Sequence, residues 1–258
     1  MILPEIVIHS KPIGSFLFSA ADSVYFDEYG RTLINSVLKN TNYHIHVHIY
    51  NPTQDQINFC DKSRVSLSYE ILDTIQFESI TNEWLHRKEF DNVREKQMFD
   101  KGMMYGFDFL KDLITKTYYA CCRFIRLYEI MTYPNRCLAI DIDGLVRGNF
   151  DLTLSGHDFY LYQKKNLEHL AGAILLTELS EKFLFDYSRN IKKKLINNDI
   201  YWFMDQVVLD RLVPKFNKGL LPLSYIDWEM SQHSSIWSAK GKRKFLQTFT
   251  DEQKKYNF

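Results

Sequence analysis

Two hydrophobic periods alternate along the front of this chain, and that alternation limits its possible folds more than any other feature. Residues 15–21, SFLFSAA, form an apolar run of strand length, followed by Asp22 and a helix-like stretch over 29–39. Residues 43–50, YHIHVHIY, alternate strictly, with Ile45, Val47 and Ile49 on one face and His44, His46 and His48 on the other. Asn51-Pro52 closes that strand as a turn dipeptide, and 65–72 reads as a third strand. A β-α-β-α-β order needs crossover helices, so it predicts an α/β fold with a mostly parallel central sheet flanked by helices. Further on, 107–114 and 118–131 read as two helices and 137–140 as a short buried strand. Residues 159–162 and 171–177 read as strands, 178–190 and 202–212 as helices. No repeat or low-complexity linker interrupts the pattern. Residues 1–258 are therefore expected to form one domain, with a basic C-terminal segment (about 238–258) completing or flanking its site.

Composition narrows the function classes. Lysine plus arginine number 32 and aspartate plus glutamate 32, so the chain lacks the positive excess on which a general nucleic-acid binder depends. The opening MILPEIVIHSKPIG lacks the basic and long apolar regions of a signal peptide. No run reaches the ~18 apolar residues of a membrane helix. These features lead to the expectation of a cytoplasmic protein, with peripheral membrane contact left open. Cys60, Cys121, Cys122 and Cys137 form no CxxC pair and read as small core residues.

Chemistry concentrates where the strand Cys137–Ile140 runs into Asp141-Ile142-Asp143-Gly144. In extended backbone, residues i and i+2 point to the same side, so both carboxylates can meet one cation. Hard oxygen ligands suit Mg²⁺ or Mn²⁺. In open α/β sheets, ligands bind beyond the carboxyl ends of the strands, where this motif falls. A plain turn cap is the competing reading for any such pair.

The segment CLAIDIDGLVRGNF, residues 137–150, resembles the DxD region of retaining GT-A glycosyltransferases, in particular glycosyltransferase family 8, which includes glycogenin and lipooligosaccharide galactosyltransferases. Other short motifs follow the family's order along most of the chain. The resemblance implies a GT-A, Rossmann-like fold and transfer of a hexose, with retention, from a nucleotide-sugar, expected to be UDP-linked, to a glycan or other hydroxyl acceptor. It implies that Ala20, Ala21 and Asp22 hold the uridine and that Tyr25 stacks on the base; a helix cap at Asp22 is the alternative. Arg123 matches the family arginine that reaches the donor, with Arg126 as its rival and one of the two facing solvent. Gly172 falls on the strand near the donor sugar, where Ala171 stands in place of an expected asparagine. Asp205 would bind sugar hydroxyls and Gln206 would lie behind the anomeric carbon. His233 would join Asp141 and Asp143 around Mn²⁺ or Mg²⁺. Gly241 and either Lys240 or Lys242 would meet the diphosphate.

The alternatives are a nucleotidyltransferase of related fold and a non-catalytic, glycosyltransferase-like binding domain. The first normally has a Gly-rich basic loop, which Ser19-Ala-Ala-Asp22 is not. His44, His46 and His48 read as the polar side of an amphipathic strand, and Lys192 to Lys194 as a solvated face or a contact for an anionic membrane. Acceptor contacts are expected from variable loops, among them 80–105.

Overall fold

In the computed structural model, which describes residues 1–163, 169–239 and 241–256, the strands are β1 (Val7–Ile8), β2 (Phe16–Asp22), β3 (His44–Tyr50), β4 (Val65–Glu70), β5 (Cys137–Ile140), β6 (Gly144–Val146), β7 (Phe159–Gln163), β8 (His169–Leu176), β9 (Lys218–Leu220), β10 (Ile226–Asp227) and β11 (Ile236–Ser238). The helices are α1 (Ser23–Tyr25), α2 (Arg31–Asn40), α3 (Gln54–Phe59), α4 (Ile75–Leu85), α5 (Val93–Tyr105), α6 (Phe107–Ile130), α7 (Glu181–Ile196), α8 (Met204–Leu212) and α9 (Gln247–Lys254). The main sheet runs β1-β4-β3-β2-β5-β8-β7-β9, with β4, β3, β2 and β5 parallel and β1 and β8 antiparallel to their neighbours. Strand order reverses between β2 and β5, which opens a crevice beyond their carboxyl ends. A small second sheet, β10-β11-β6, stands beside it.

Each face of the main sheet has its own core. The Ile45, Val47 and Ile49 face packs with Leu33, Ile34 and Val37 of α2. The opposite face packs under α6, with Phe16, Phe18 and Tyr50 in the same cluster as Leu110, Ile114, Tyr118 and Cys121. Because helices cover both faces, the alternating histidines of β3 are not a solvated edge: His46 and His48 are fully buried. Both His46 nitrogens are satisfied across the strands, Nδ1 lying 2.8 Å from the Ser66 hydroxyl and Nε2 2.8 Å from that of Ser68. Among the described residues, His48 has only its Nδ1 so bonded, at 2.9 Å from the Ser68 hydroxyl, and its Nε2 lies 3.6 Å from Glu70. Glu70 ends this row, accepting from Tyr118 and Arg126, each at 2.5 Å.

Two further expectations change. Residues 107–130 form one helix, not two, because Thr115 and Thr117 donate their hydroxyls to the carbonyls four residues back and stay within it. Much of 80–105 is helical, in α4 and α5; Asn92 caps α5 by accepting from the Glu95 N–H at 3.1 Å. All four cysteines are buried and unpaired to one another, as small core residues.

Candidate active site

The short strand β5 is buried at every position and delivers Asp141 and Asp143 to the switch-point crevice. Ser19 on β2 donates its hydroxyl to the Ile140 carbonyl at 2.9 Å, pinning the two strand ends together. The Asp141 carbonyl accepts from Gly144 N–H at 2.9 Å, so the chain turns at once into β6. Ile142, between the carboxylates, is buried in the core.

The carboxylates divide the site between them. Asp141 is hydrogen-bonded by Arg123, whose Nη2 also donates to the Ala171 carbonyl at 3.1 Å and lies 3.6 Å from Asp205. Burial alone would destabilise the guanidinium, but the two carboxylates hold its pKa above the ordinary arginine value. Burial raises the Asp205 pKa above the usual aspartate range, and Arg123 offsets only part of that. Arg126 does not face solvent: it is buried against Glu70, Glu129 and the Pro4 carbonyl. Residues three apart on a helix share a face, so both arginines enter the protein.

On the other side, Asp143 is paired with Lys244 at 2.6 Å. Lys244 also donates to the Tyr25 hydroxyl and lies 4.6 and 4.9 Å from the ring centres of Tyr25 and Tyr29. Burial opposes its charge, but Asp143 and Tyr25 hold the ammonium pKa above the ordinary lysine value. Asp22, at the end of β2, caps α1 by accepting from Tyr25 N–H at 2.7 Å, which fixes Tyr25 in this position. Ala20 and Ala21 lead into that cap along β2.

Gly172 needs to be glycine. A Cβ there would fall 2.6 Å from Asp141 Oδ2 and 3.4 Å from Trp228 Cζ2. Its neighbour Ala171 is held by Gln206, whose Oε1 accepts the Ala171 N–H at 3.0 Å while its Nε2 donates to Asp210 at 2.9 Å. Asp205 and Gln206 open α8, and Tyr187 donates to the Asp205 carbonyl at 3.1 Å.

The C-terminal segment is where sequence and structure differ. His233 is exposed, on a turn before β11 closed by Ser234 N–H to the Ser231 carbonyl. Among the described residues, no three His, Cys, Asp or Glu side chains gather in a way that could hold a metal ion. His233 is thus not brought to the Asp pair as expected. The register explains why: β11 pairs Ser238, not His233, with Gly144, one residue beyond Asp143. The Ser238 hydroxyl is fully buried there, without a hydrogen-bond partner among the described residues. Lys240 lies outside the described residues. Gly241 takes a left-handed φ of 57°, opening the 3₁₀ turn Gly241–Phe245. Lys242 on that turn is exposed, whereas Lys244, two residues on, enters the site. Only the basic run signalled Lys244, and it did not single out one position.

No protein-family model and no curated protein matches the chain. Solved structures do. The galactosyltransferase LgtC in complex with donor and acceptor sugar analogs is 12% identical, with 94% of this chain and 96% of that one covered, at a TM-score of 0.56. An active-site mutant of LgtC matches at 11% identity, 94% and 96% coverage and a TM-score of 0.55. The apo-form glycosyltransferase GlyE of Streptococcus pneumoniae TIGR4 is 13% identical, with 93% of this chain and 60% of that one covered, at a TM-score of 0.50. The reversal of strand order, the carboxylates at its crevice and these matches along the chain all describe one architecture: the chain has the GT-A glycosyltransferase fold.

Proposed function

We propose that the chain is a glycosyltransferase that moves a hexose from a UDP-linked donor to a glycan or other hydroxyl acceptor, with retention of anomeric configuration. The observation that carries this reading is the charge arrangement at the switch-point crevice. Two carboxylates sit at the end of β5, with Arg123 and Asp205 on one side and Lys244, Tyr25 and Tyr29 on the other. That suits a ligand with an aromatic base, an anionic middle and a hydroxyl-rich end. The architecture shared with galactosyltransferase LgtC adds support.

The donor set fits a hard divalent cation of modest demand. Mg²⁺ commonly takes one or two carboxylates and completes its shell with substrate phosphates and water. Asp141 and Asp143 would hold Mn²⁺ or Mg²⁺ in this way, without His233. A cation bound there supplies positive charge to the departing diphosphate. Lys244 reaches the same region and adds a charged donor to the phosphate side, with Gly241 shaping its turn. Arg123 orients Asp141 and Asp205, and Asp205 accepts sugar hydroxyls. Gln206 is held at both ends of its carboxamide by Ala171 and Asp210. An amide so tethered is a poor nucleophile, which favours departure and attack on one face through an oxocarbenium-like transition state.

Asp141→Ala is expected to lower hydrolysis of UDP-hexose by about 10²-fold or more, the scale of losing one main electrostatic stabiliser. The check is nucleotide-sugar turnover with mass detection, with and without Mn²⁺. Undiminished turnover in the variant overturns the assignment. The occupation of both carboxylates by the chain's own cations also favours a second reading, a non-catalytic nucleotide-sugar or glycan binder. Calorimetry with UDP separates the two, since binding indifferent to Mn²⁺ together with no turnover supports the binder.

A further inference from the structure

The sugar side of the crevice carries an aromatic ring that no sequence motif singled out. Trp228 follows β10 directly, and its Cζ2 lies 3.4 Å from the point a Cβ on Gly172 would occupy, the same point that is 2.6 Å from Asp141 Oδ2. An indole edge, a carboxylate oxygen and a bare backbone therefore meet at one place. Tyr162 stacks behind the indole, with centroids 5.7 Å apart and planes 13° from parallel. The backbone on either side is clamped. Asp227 accepts from the Glu229 N–H at 2.8 Å and the Ser231 N–H at 2.7 Å, and Glu229 pairs with Arg243 on the turn that carries Lys244. Trp228 is thus a partly buried ring, packed against the core that contains Ile45, Val47 and Ile49 and set on a fixed support, not a surface side chain on a loose loop.

We propose that Trp228, backed by Tyr162, is the platform on which the acceptor packs, and that the acceptor is a saccharide presenting the apolar face of a pyranose ring. The inference rests on the glycosyltransferase reading above. A pyranose carries an apolar C–H face and a hydroxyl rim; an indole suits the first and the Asp141 oxygen the second. Depth separates acceptor from donor. The polar group of Arg123 and Asp205 is buried and suits the transferred hexose. Trp228 is only partly buried, which leaves it the more accessible of the two to a second substrate. A protein hydroxyl or a small alcohol as acceptor would have no use for a rigid stacked pair at this position.

The test uses the full chain with Mn²⁺ and UDP-hexose, with Trp228→Ala, Trp228→Leu and Trp228→Phe. Kinetics compare methyl hexosides with glycerol as acceptors, and donor consumption without acceptor is followed separately. Saturation-transfer NMR measures methyl hexoside binding in the presence of UDP. The expected result is an acceptor KM raised at least tenfold in the Ala and Leu variants, with donor KM moved less than twofold and the Phe variant within threefold of the native chain. Leu keeps apolar volume without a ring, so its loss distinguishes stacking from packing. An unchanged acceptor KM, an equal rise in donor KM, or glycerol used as well as the hexosides overturns the proposal. If the native chain consumes no nucleotide-sugar, the functional reading falls, and the NMR comparison still judges Trp228: loss of hexoside binding in Trp228→Leu supports the platform, and unaltered binding ends it.

Discussion

Gly172 has almost no room for a side chain, and what crowds it is a carboxylate already committed to Arg123. Gly172→Ala would push Asp141 off that partner or strain β8, at a cost on the order of 1–3 kcal/mol of stability. The expected outcome is a folded variant of lower thermal stability whose UDP-sugar hydrolysis falls about tenfold or more; circular dichroism melting and turnover check both halves. Asp141, Asp143 and Arg123 could be read from the chain because each has a short-range signal: a carboxylate pair straight after a buried strand, an arginine on an apolar helix. His233 gave a wrong signal, since its chemistry suited a metal but its position was fixed by the register of a three-residue strand. Trp228 gave none, because an isolated tryptophan in an irregular segment looks the same whether it fills a core or lines a crevice.

At the scale of the element, the turn Gly241–Phe245 and the strand β11 matter most. β11 sets Ser238 against Gly144, and the turn then drives Lys244 to Asp143 and Tyr25. Lysines at 242 and 244 are equivalent in the sequence; one is exposed and the other nearly buried because a 3₁₀ turn has only three residues per revolution. Lys244→Met keeps the stem and removes the charge. It is expected to weaken UDP binding about tenfold by calorimetry while Lys242→Met changes it less than twofold. The reverse order would move the proposed phosphate contact to Lys242, one of the two lysines expected there. The elements themselves were legible wherever period and length agreed, as in β2, β3 and α7. The break expected between 114 and 118 was not real, because threonine hydroxyls can be satisfied inside a helix as well as outside one.

Across the whole molecule, helices on both faces of the sheet turn an apparently half-polar strand into a buried one. Burial, with His48 close by, pushes the His46 pKa down to about 3. The folded chain therefore holds this imidazole neutral, while the unfolded chain protonates it below about pH 6.5. Its contribution to stability is fully present above pH 6.5 and drains as pH falls toward 3. Between pH 6.5 and 5 the loss is about 2 kcal/mol, at about 1.4 kcal/mol per unit. The carboxylate of Glu70 is also held below its ordinary value, but it acts lower in pH and leaves this window to histidine. Urea denaturation at pH 7 and pH 5 should show that drop in the native chain and a drop smaller by about 2 kcal/mol in His46→Gln. Equal drops in both would mean that His46 is not held neutral.

The sequence by itself determined the class of fold and that a carboxylate pair follows a buried strand. Strand and helix periods are local, and a carboxylate pair at the end of an apolar strand can be seen without knowing what surrounds it. Only the tertiary structure decided which cations answer those carboxylates, that His46 and His48 of β3 are buried, and that Trp228 stands beside Gly172. Each of those depends on residues far apart in the chain being packed together, and neither hydrophobic period nor motif spacing encodes which distant side chains will meet.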